Sequence, residues 1–213
     1  MHRWAYTKID AMIKSNLQSV SLCEVLKTFA GFTDDEYAWY SRFIELRVLK
    51  KKEHLLRAGE VIRFTAYVER GCLRRYTVDE QGKETIVGFA TEDNWTGDLE
   101  SFLHRCPTNF FIQALEESEL QTLSYENFHR VCEHLPKYKA FHDAKIERNH
   151  YATLKRLVAA MSATPEEKYL QLEHNQPQLF QRVPLHYIAS YLGIEPESLS
   201  RLRKRVMERP QKS

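Results

Sequence analysis

Apolar positions change their period several times along the 213 residues, and each change marks an element. From about Ile9 to Phe43 they recur at helical spacing, interrupted near Gly31-Phe32-Thr33-Asp34. Thr33 and Asp34 read as an N-cap ahead of Glu36-Tyr37-Ala38-Trp39-Tyr40. From about Glu45 to Ser124 the pattern becomes short strands rich in β-branched and aromatic residues. They are Arg47 to Lys50, Thr65 to Glu69, Cys72 to Val78, Glu84 to Phe89 and Phe110 to Leu115. Asp79-Glu80-Gln81-Gly82 and Ala58-Gly59-Glu60 are the turns between them, and strands at this spacing predict an antiparallel barrel or roll.

A long helix without Gly or Pro follows, from about Lys137 to Met161. Ala144, Glu147, Tyr151, Leu154, Val158 and Met161 lie at alternating steps of three and four, the spacing of a two-helix seam that only Glu147 breaks. The alternative is a helix packed along one face of its own domain. Near Ser162 a hinge is expected, because Thr164-Pro165-Glu166-Glu167 restarts a helix with Thr as N-cap, Pro at the first position and carboxylates at the positive dipole end.

The stretch from Pro184 to Arg205 has the register of a helix-turn-helix. Ala189 is the small residue where two helices touch, and Gly193 ends the first in a left-handed turn. Ile188, Leu192, Ile194, Leu199 and Leu202 form the expected buried set, and Pro196 fits the first turn of the second helix. With Leu199 and Leu202 facing the core, the opposite face presents Glu197, Ser198, Arg201 and Arg205. Arg201 suits bidentate contact with guanine, and Glu197 can accept from cytosine N4. Ser200, Lys204, His186 and Arg182 complete the candidate DNA-contacting set, with serines and basic residues suited to phosphates. An ordinary surface ion pair between Glu197 and Arg201 is the bland alternative.

Charge supports the DNA reading. The whole chain is +2, yet from Arg182 to Ser213 seven basic residues stand against three acidic ones, leaving the remainder mildly acidic. Apolar residues at 43% and charged residues at 28% are globular values, which excludes a disordered chain. No run of 18 apolar residues and no signal-peptide core occurs, so a soluble, cytoplasmic protein with no membrane partner is expected. The cysteines, Cys23, Cys72, Cys106 and Cys132, are scattered singly, which predicts reduced thiols and no cysteine-built cluster.

This arrangement resembles the Crp/Fnr family of bacterial transcription regulators from about Phe43 to Val206. The resemblance is carried by Leu55 to Glu60, by Gly97-Asp98-Leu99-Glu100-Ser101-Phe102-Leu103 and by the helix-turn-helix itself. It implies an α+β fold: an N-terminal antiparallel β-roll of cyclic-nucleotide-binding type with flanking helices, a long dimerisation helix, and a C-terminal helix-turn-helix of reduced winged-helix form. The corresponding divisions are 1–42, 43–136, 137–162 and 163–213. It also implies that Glu197 and Arg201 are the base-reading pair, that two copies meet along Ala144, Tyr151, Leu154, Val158 and Met161, and that double-stranded DNA and RNA polymerase are partners. Any wing must come from Leu179-Phe180-Gln181-Arg182, and Met1 to Ser21 lie outside the resemblance.

Members of that family that sense cyclic AMP use a Gly-Glu-Leu turn, followed about ten residues later by an arginine that neutralises the phosphate. Gly97, Asp98 and Leu99 resemble the first half, but no arginine stands near Thr108 and Asn109, and Arg105 comes three residues early. A buried phosphate without a cation is costly, so the expected effector is an unidentified small molecule other than cyclic AMP. No cofactor or metal is expected. His129, Cys132 and His134 do not share a helix face, and the aromatics Trp95, Phe102, Phe110 and Phe111 read as roll core. The rival readings are a cupin-like metal enzyme on a similar roll and an interaction module without DNA binding. The first lacks a His-x-His, no phosphate loop or nucleophile elbow is present, and the chain is read as a non-enzyme.

Overall fold

The computed structural model describes residues 21–208, so the expected helical residues Ile9 to Val20 lie outside the described part. The chain forms two compact units. Of the described residues, the first contains those up to Leu73 and Phe89–Lys145; the second contains Arg74–Gly88 and those from Ile146 to Glu208.

In the first unit, α1 (Leu22–Ala30) is closed at its start by a capping box between Ser21 and Glu24 and at its end by Gly31 in the left-handed conformation at φ 67°. Thr33 caps α2 (Asp34–Tyr40) in the same way with Glu36, as the sequence predicts, and a single 3₁₀ turn leads into the strands. Among the described residues the roll contains eight strands in two four-stranded sheets, the hairpin over Arg74–Gly88 being counted with the second unit. The first sheet has the order β1 (Ile44–Leu49), β8 (Ser118–Ser124), β3 (Phe64–Arg70), β6 (Trp95–Thr96), every pairing antiparallel. Its register sets Leu46 opposite Gln121 and Gln121 opposite Tyr67, and a bulge falls between Val68 and Arg70. In the second sheet, β2 (His54–Leu56) pairs with β7 (Phe111–Ala114). β4 (Leu73–Val78) and β5 (Glu84–Ala90) are joined through the expected turn, where Asp79 Oδ1 accepts the amides of Gln81 and Lys83.

One apolar core joins Leu26 of α1 to Ala66, Val68, Leu73, Ile112, Leu120 and Leu123 of the strands. At about 1.5–3 kcal/mol for each large side chain removed from water, this core is the main stabilising term. Helices α3 (Leu99–His104) and α4 (Tyr125–His134) flank it. Phe102 is core and meets Phe128 edge to face at 5.4 Å, whereas Trp95, 4.6 Å from Tyr67, is only partly buried against the core and Phe110 and Phe111 are half-buried rather than core as expected. Tyr40 and Tyr138 bury their rings side by side, and Lys137 ties α2 in place by donating to Glu36 at 2.7 Å and to the Gly31 carbonyl at 2.8 Å. That ammonium, with the Thr33 amide, holds the Glu36 carboxyl down to about 2.

The long helix, α5, runs from Pro136 to Ser162, so the predicted span is one residue short at each end. Its break falls at Ala163, and Thr164 then forms a capping box with Glu167 to open α6 (Pro165–Asn175), with Pro165 in the first turn. In the second unit α6 is followed by α7 (Leu179–Arg182), α8 (Leu185–Leu192) and α9 (Pro196–Met207). The segment Leu179 to Arg182, from which any wing would have to come, is helical. Those residues form a helical turn with Leu179 fully buried, and the Val183 amide closes it by donating to the Leu179 carbonyl at 2.8 Å.

Candidate nucleic-acid interface

α8 and α9 are built from the register read in the sequence. Ile188, Ala189 and Leu192 of α8 and Leu199 and Leu202 of α9 are buried, and the lack of a side chain beyond Cβ at Ala189 lets the helices approach. Gly193 has φ 68°, and the amides of Gly193 and Ile194 return to the carbonyls of Ser190 and Ala189 at 3.1 and 3.0 Å. This is a Schellman closure; a side chain at Gly193 has open space but an unfavourable backbone. Ile194 is only half-buried, not part of the fully buried set as expected, since the turn carries it to the rim.

With Leu199 and Leu202 turned inward, Glu197, Ser198, Ser200, Arg201, Lys204 and Arg205 are all exposed, as is His186 at the start of α8; Arg182 is half-buried. Arg201 is held by its own helix: Nε donates to the Glu197 carbonyl oxygen at 3.4 Å. Its guanidinium therefore engages the Glu197 backbone, a different contact from the side-chain ion pair weighed above. Arg205 lies 3.5 Å from Glu166 of α6 yet keeps 64% of its side chain in solvent, and Lys204 approaches Glu208 at 4.0 Å. Such exposed pairs contribute about 0–1 kcal/mol and yield readily to a stronger anion.

Arg203, which sequence reading passed over, faces inward. Its guanidinium lies 5.8 Å from the Phe180 ring, and its Nε is buried without a hydrogen-bond partner. Its position one residue after Leu202 was the available signal.

On α5 the seam residues Tyr151, Leu154, Val158 and Met161 are exposed, Met161 at 83%, and Leu157 adds a further exposed apolar side chain; Ala144 is half-buried.

The other candidate set lies in the roll. Asp98 caps α3, its Oδ1 accepting the amides of Glu100 and Ser101, while its Oδ2 accepts the Thr108 hydroxyl at 2.6 Å. Thr108 is buried, and its Oγ1 in turn accepts the Phe110 amide. Gly97 sits at φ 149°, where a Cβ would come 3.2 Å from Ile62 Cδ1. Leu99 and Asn109 are exposed. Arg105 is engaged elsewhere, with its guanidinium 4.8 Å from the Tyr125 ring and 3.9 Å from Glu126. The donor set around Asp98 therefore fits a cyclic phosphate poorly: its carboxylate is satisfied internally and the nearby guanidinium lies over Tyr125.

His134 stacks on Trp39 at 4.1 Å and His129 meets Tyr125 at 4.4 Å, so both rings serve packing. Burial pushes the Cys132 thiol up to about 11. Among the described residues no group of three His, Cys, Asp or Glu side chains is placed to hold a metal, and no helix is long and apolar enough to cross a membrane.

Comparison with known proteins agrees with this layout. The family described as "Cyclic nucleotide-binding domain" matches residues 46–134. The chain is 23% identical over 101 residues to the cAMP-activated global transcriptional regulator CRP of Salmonella typhimurium, covering 47% of this chain and 48% of that one. It thus spans about half the length of the first such relatives. It is 26% identical over 197 residues to the fumarate and nitrate reduction regulatory protein of Vibrio cholerae, covering 84% of this chain and 77% of that one. Among solved structures, the c-di-GMP-responsive global regulator CLP of Xanthomonas campestris superposes with a TM-score of 0.67 at 13% identity, covering 82% and 92% of the two chains. The Thermus thermophilus catabolite activator protein gives a TM-score of 0.54 at 20% identity, covering 84% and 86%. Residues 46–134 thus match the cyclic nucleotide-binding domain family, and in its antiparallel roll, long helix and C-terminal helices the chain is similar to transcription regulators of the Crp/Fnr type.

Proposed function

We propose that this protein is a sequence-specific DNA-binding transcription regulator that works as a homodimer in the cytoplasm. The observation that carries the reading is the exposed face of α9: Glu197, Ser198, Arg201 and Arg205 project from a helix whose other face is locked by Leu199 and Leu202. Arg201 and Glu197 read base edges in the major groove, while Ser200, Lys204, His186 and Arg182 hold phosphates and set the register. The apolar stripe of Tyr151, Leu154, Val158 and Met161 is the surface a second copy covers, since so many neighbouring apolar side chains are otherwise left in water. A two-fold dimer then predicts a two-fold operator, and RNA polymerase is the partner through which such a regulator acts. The effector is a small molecule held without the arginine of the cyclic-AMP cassette, so cyclic AMP does not bind the roll.

Selection of duplexes from a random pool with the purified protein tests the reading. Enrichment of an inverted repeat supports it; a pool that stays random, or a protein that sediments as a monomer at every concentration, overturns it. Adding cyclic AMP leaves the selected affinity unchanged on this view.

A further inference from the structure

The hairpin β4–β5 falls in the same compact unit as the helix-turn-helix, although 96 residues separate Gly88 from Leu185 in sequence, and its side chains grip α8. Arg74 is 4% exposed, a guanidinium almost wholly withdrawn from water. Glu84, across the hairpin, receives it in a two-point contact, with Nη2 donating to Oε1 at 3.2 Å and Nη1 to Oε2. The faces of the same group meet two rings: Tyr76 of the hairpin at 4.1 Å and Tyr187 of α8 at 4.2 Å. Alongside, the Ile86 amide donates to Ser190 Oγ at 3.1 Å. Tyr187 and Ser190 stand three apart on α8 and share a face, whereas Ile188, Ala189 and Leu192 supply the buried contacts of that helix. The first helix of the motif is therefore gripped both by its own core and by the hairpin.

We infer that Arg74 is a positioning residue for DNA reading, acting through Tyr187 and Ser190 to set the angle at which α8, and with it α9, meets the duplex. The inference rests on the DNA-binding reading above. Its physical basis is geometric. Apolar side chains could fill this volume with less desolvation, but they slide, whereas a planar guanidinium pinned by a carboxylate between two rings admits one arrangement. The Glu197 and Arg201 face stays open in this arrangement, so the grip aligns the reading helix and does not mask it.

The test compares Tyr187→Leu, Tyr187→Phe and Ser190→Ala with the unaltered protein and with Arg201→Ala. Each is titrated at one salt concentration against the duplex enriched by selection and a scrambled duplex of equal length, and melted in parallel. Tyr187→Leu is expected to lower the ratio of selected to scrambled affinity about tenfold, the scale of one desolvated cation–π contact. Tyr187→Phe, which keeps the ring face, restores the ratio to within about twofold of the unaltered protein. Ser190→Ala lowers it in the same direction by less, with little change in packing. A purely structural role would lower the melting temperature and leave the ratio intact; that result, or an unchanged ratio in Tyr187→Leu, overturns the inference. If Arg201→Ala also leaves the ratio unchanged, the DNA-binding reading falls first.

Discussion

Two helix starts in this molecule carry polar residues at comparable places, and they use them in opposite ways. At α3 the carboxylate of Asp98 is consumed within the fold, by two backbone amides and the buried Thr108 hydroxyl. At α9 Glu195 caps without a side-chain hydrogen bond, Pro196 removes one donor that would need a partner, and Glu197, Ser198 and Arg201 reach solvent. Two similar polar constellations thus differ in what remains unsatisfied. A carboxylate paired with buried groups inside the protein must give up those bonds before it can bind a ligand; an exposed group gives up water and, for Arg201, one solvent-exposed hydrogen bond to its own helix.

The sharpest way to break the contrast is to remove what turns the α9 face outward. Leu199→Ala deletes a fully buried side chain and should cost about 2–5 kcal/mol of stability in that unit, read as a lower denaturant midpoint together with loss of DNA affinity. Arg201→Ala leaves the core intact and should cost about 1–3 kcal/mol of binding to the selected duplex while relaxing preference at one base position. Lys204→Ala should weaken all duplexes alike and reduce the salt slope by about 1. Equal behaviour of the two variants across sequences would erase the distinction between reading and holding.

On the roll side, Asp98→Ala should destabilise by about 1–2 kcal/mol, the value of an N-cap, because two amides and a buried hydroxyl lose their acceptor. No loss of cyclic-AMP affinity accompanies it, since none is expected in the unaltered protein. Calorimetric titration of both proteins with cyclic AMP, alongside denaturation, checks both parts.

The same contrast explains what could be read from the sequence. The helix-turn-helix was legible because Ala189, Gly193, Leu199 and Leu202 each have a single local job that their residue type announces. The caps at Thr33 and Thr164 were legible for the same reason. β8 was not. Ser118, Leu120 and Thr122 alternate inward, but two of the three are polar, and only pairing with both β1 and β3 buries them. β2 and β6 span three and two residues, too short for any period to show. The hairpin's grip on α8 was invisible too, because Arg74 and Tyr187 are brought together only by tertiary structure; in sequence, Arg74 is one more strand arginine. Whether Leu179 to Arg182 forms a wing strand or a helical turn was not legible either, because four residues carry no pattern that separates the two.

The smallest effect concerns protons. His142 of α5 lies edge-on to Phe128 at 4.7 Å and parallel to Tyr138 at 6.3 Å, and burial lowers its affinity for a proton, with Asp143 opposing and Lys139 reinforcing the shift. The folded protein thus binds fewer protons at this site than the unfolded chain. Its contribution is undiminished above the ordinary histidine value of 6.5 and drains as pH falls below it, until the folded site itself takes up the proton. His142→Phe keeps a ring between Phe128 and Tyr138 and removes the titration. Denaturant midpoints at pH 7.5 and about 5 should therefore converge in the variant relative to the unaltered protein. Selected-DNA affinity at pH 7.5 should not change, because His142 is a packing group of the roll, where polar and titratable atoms are spent on the fold, and not one of the exposed groups of α9.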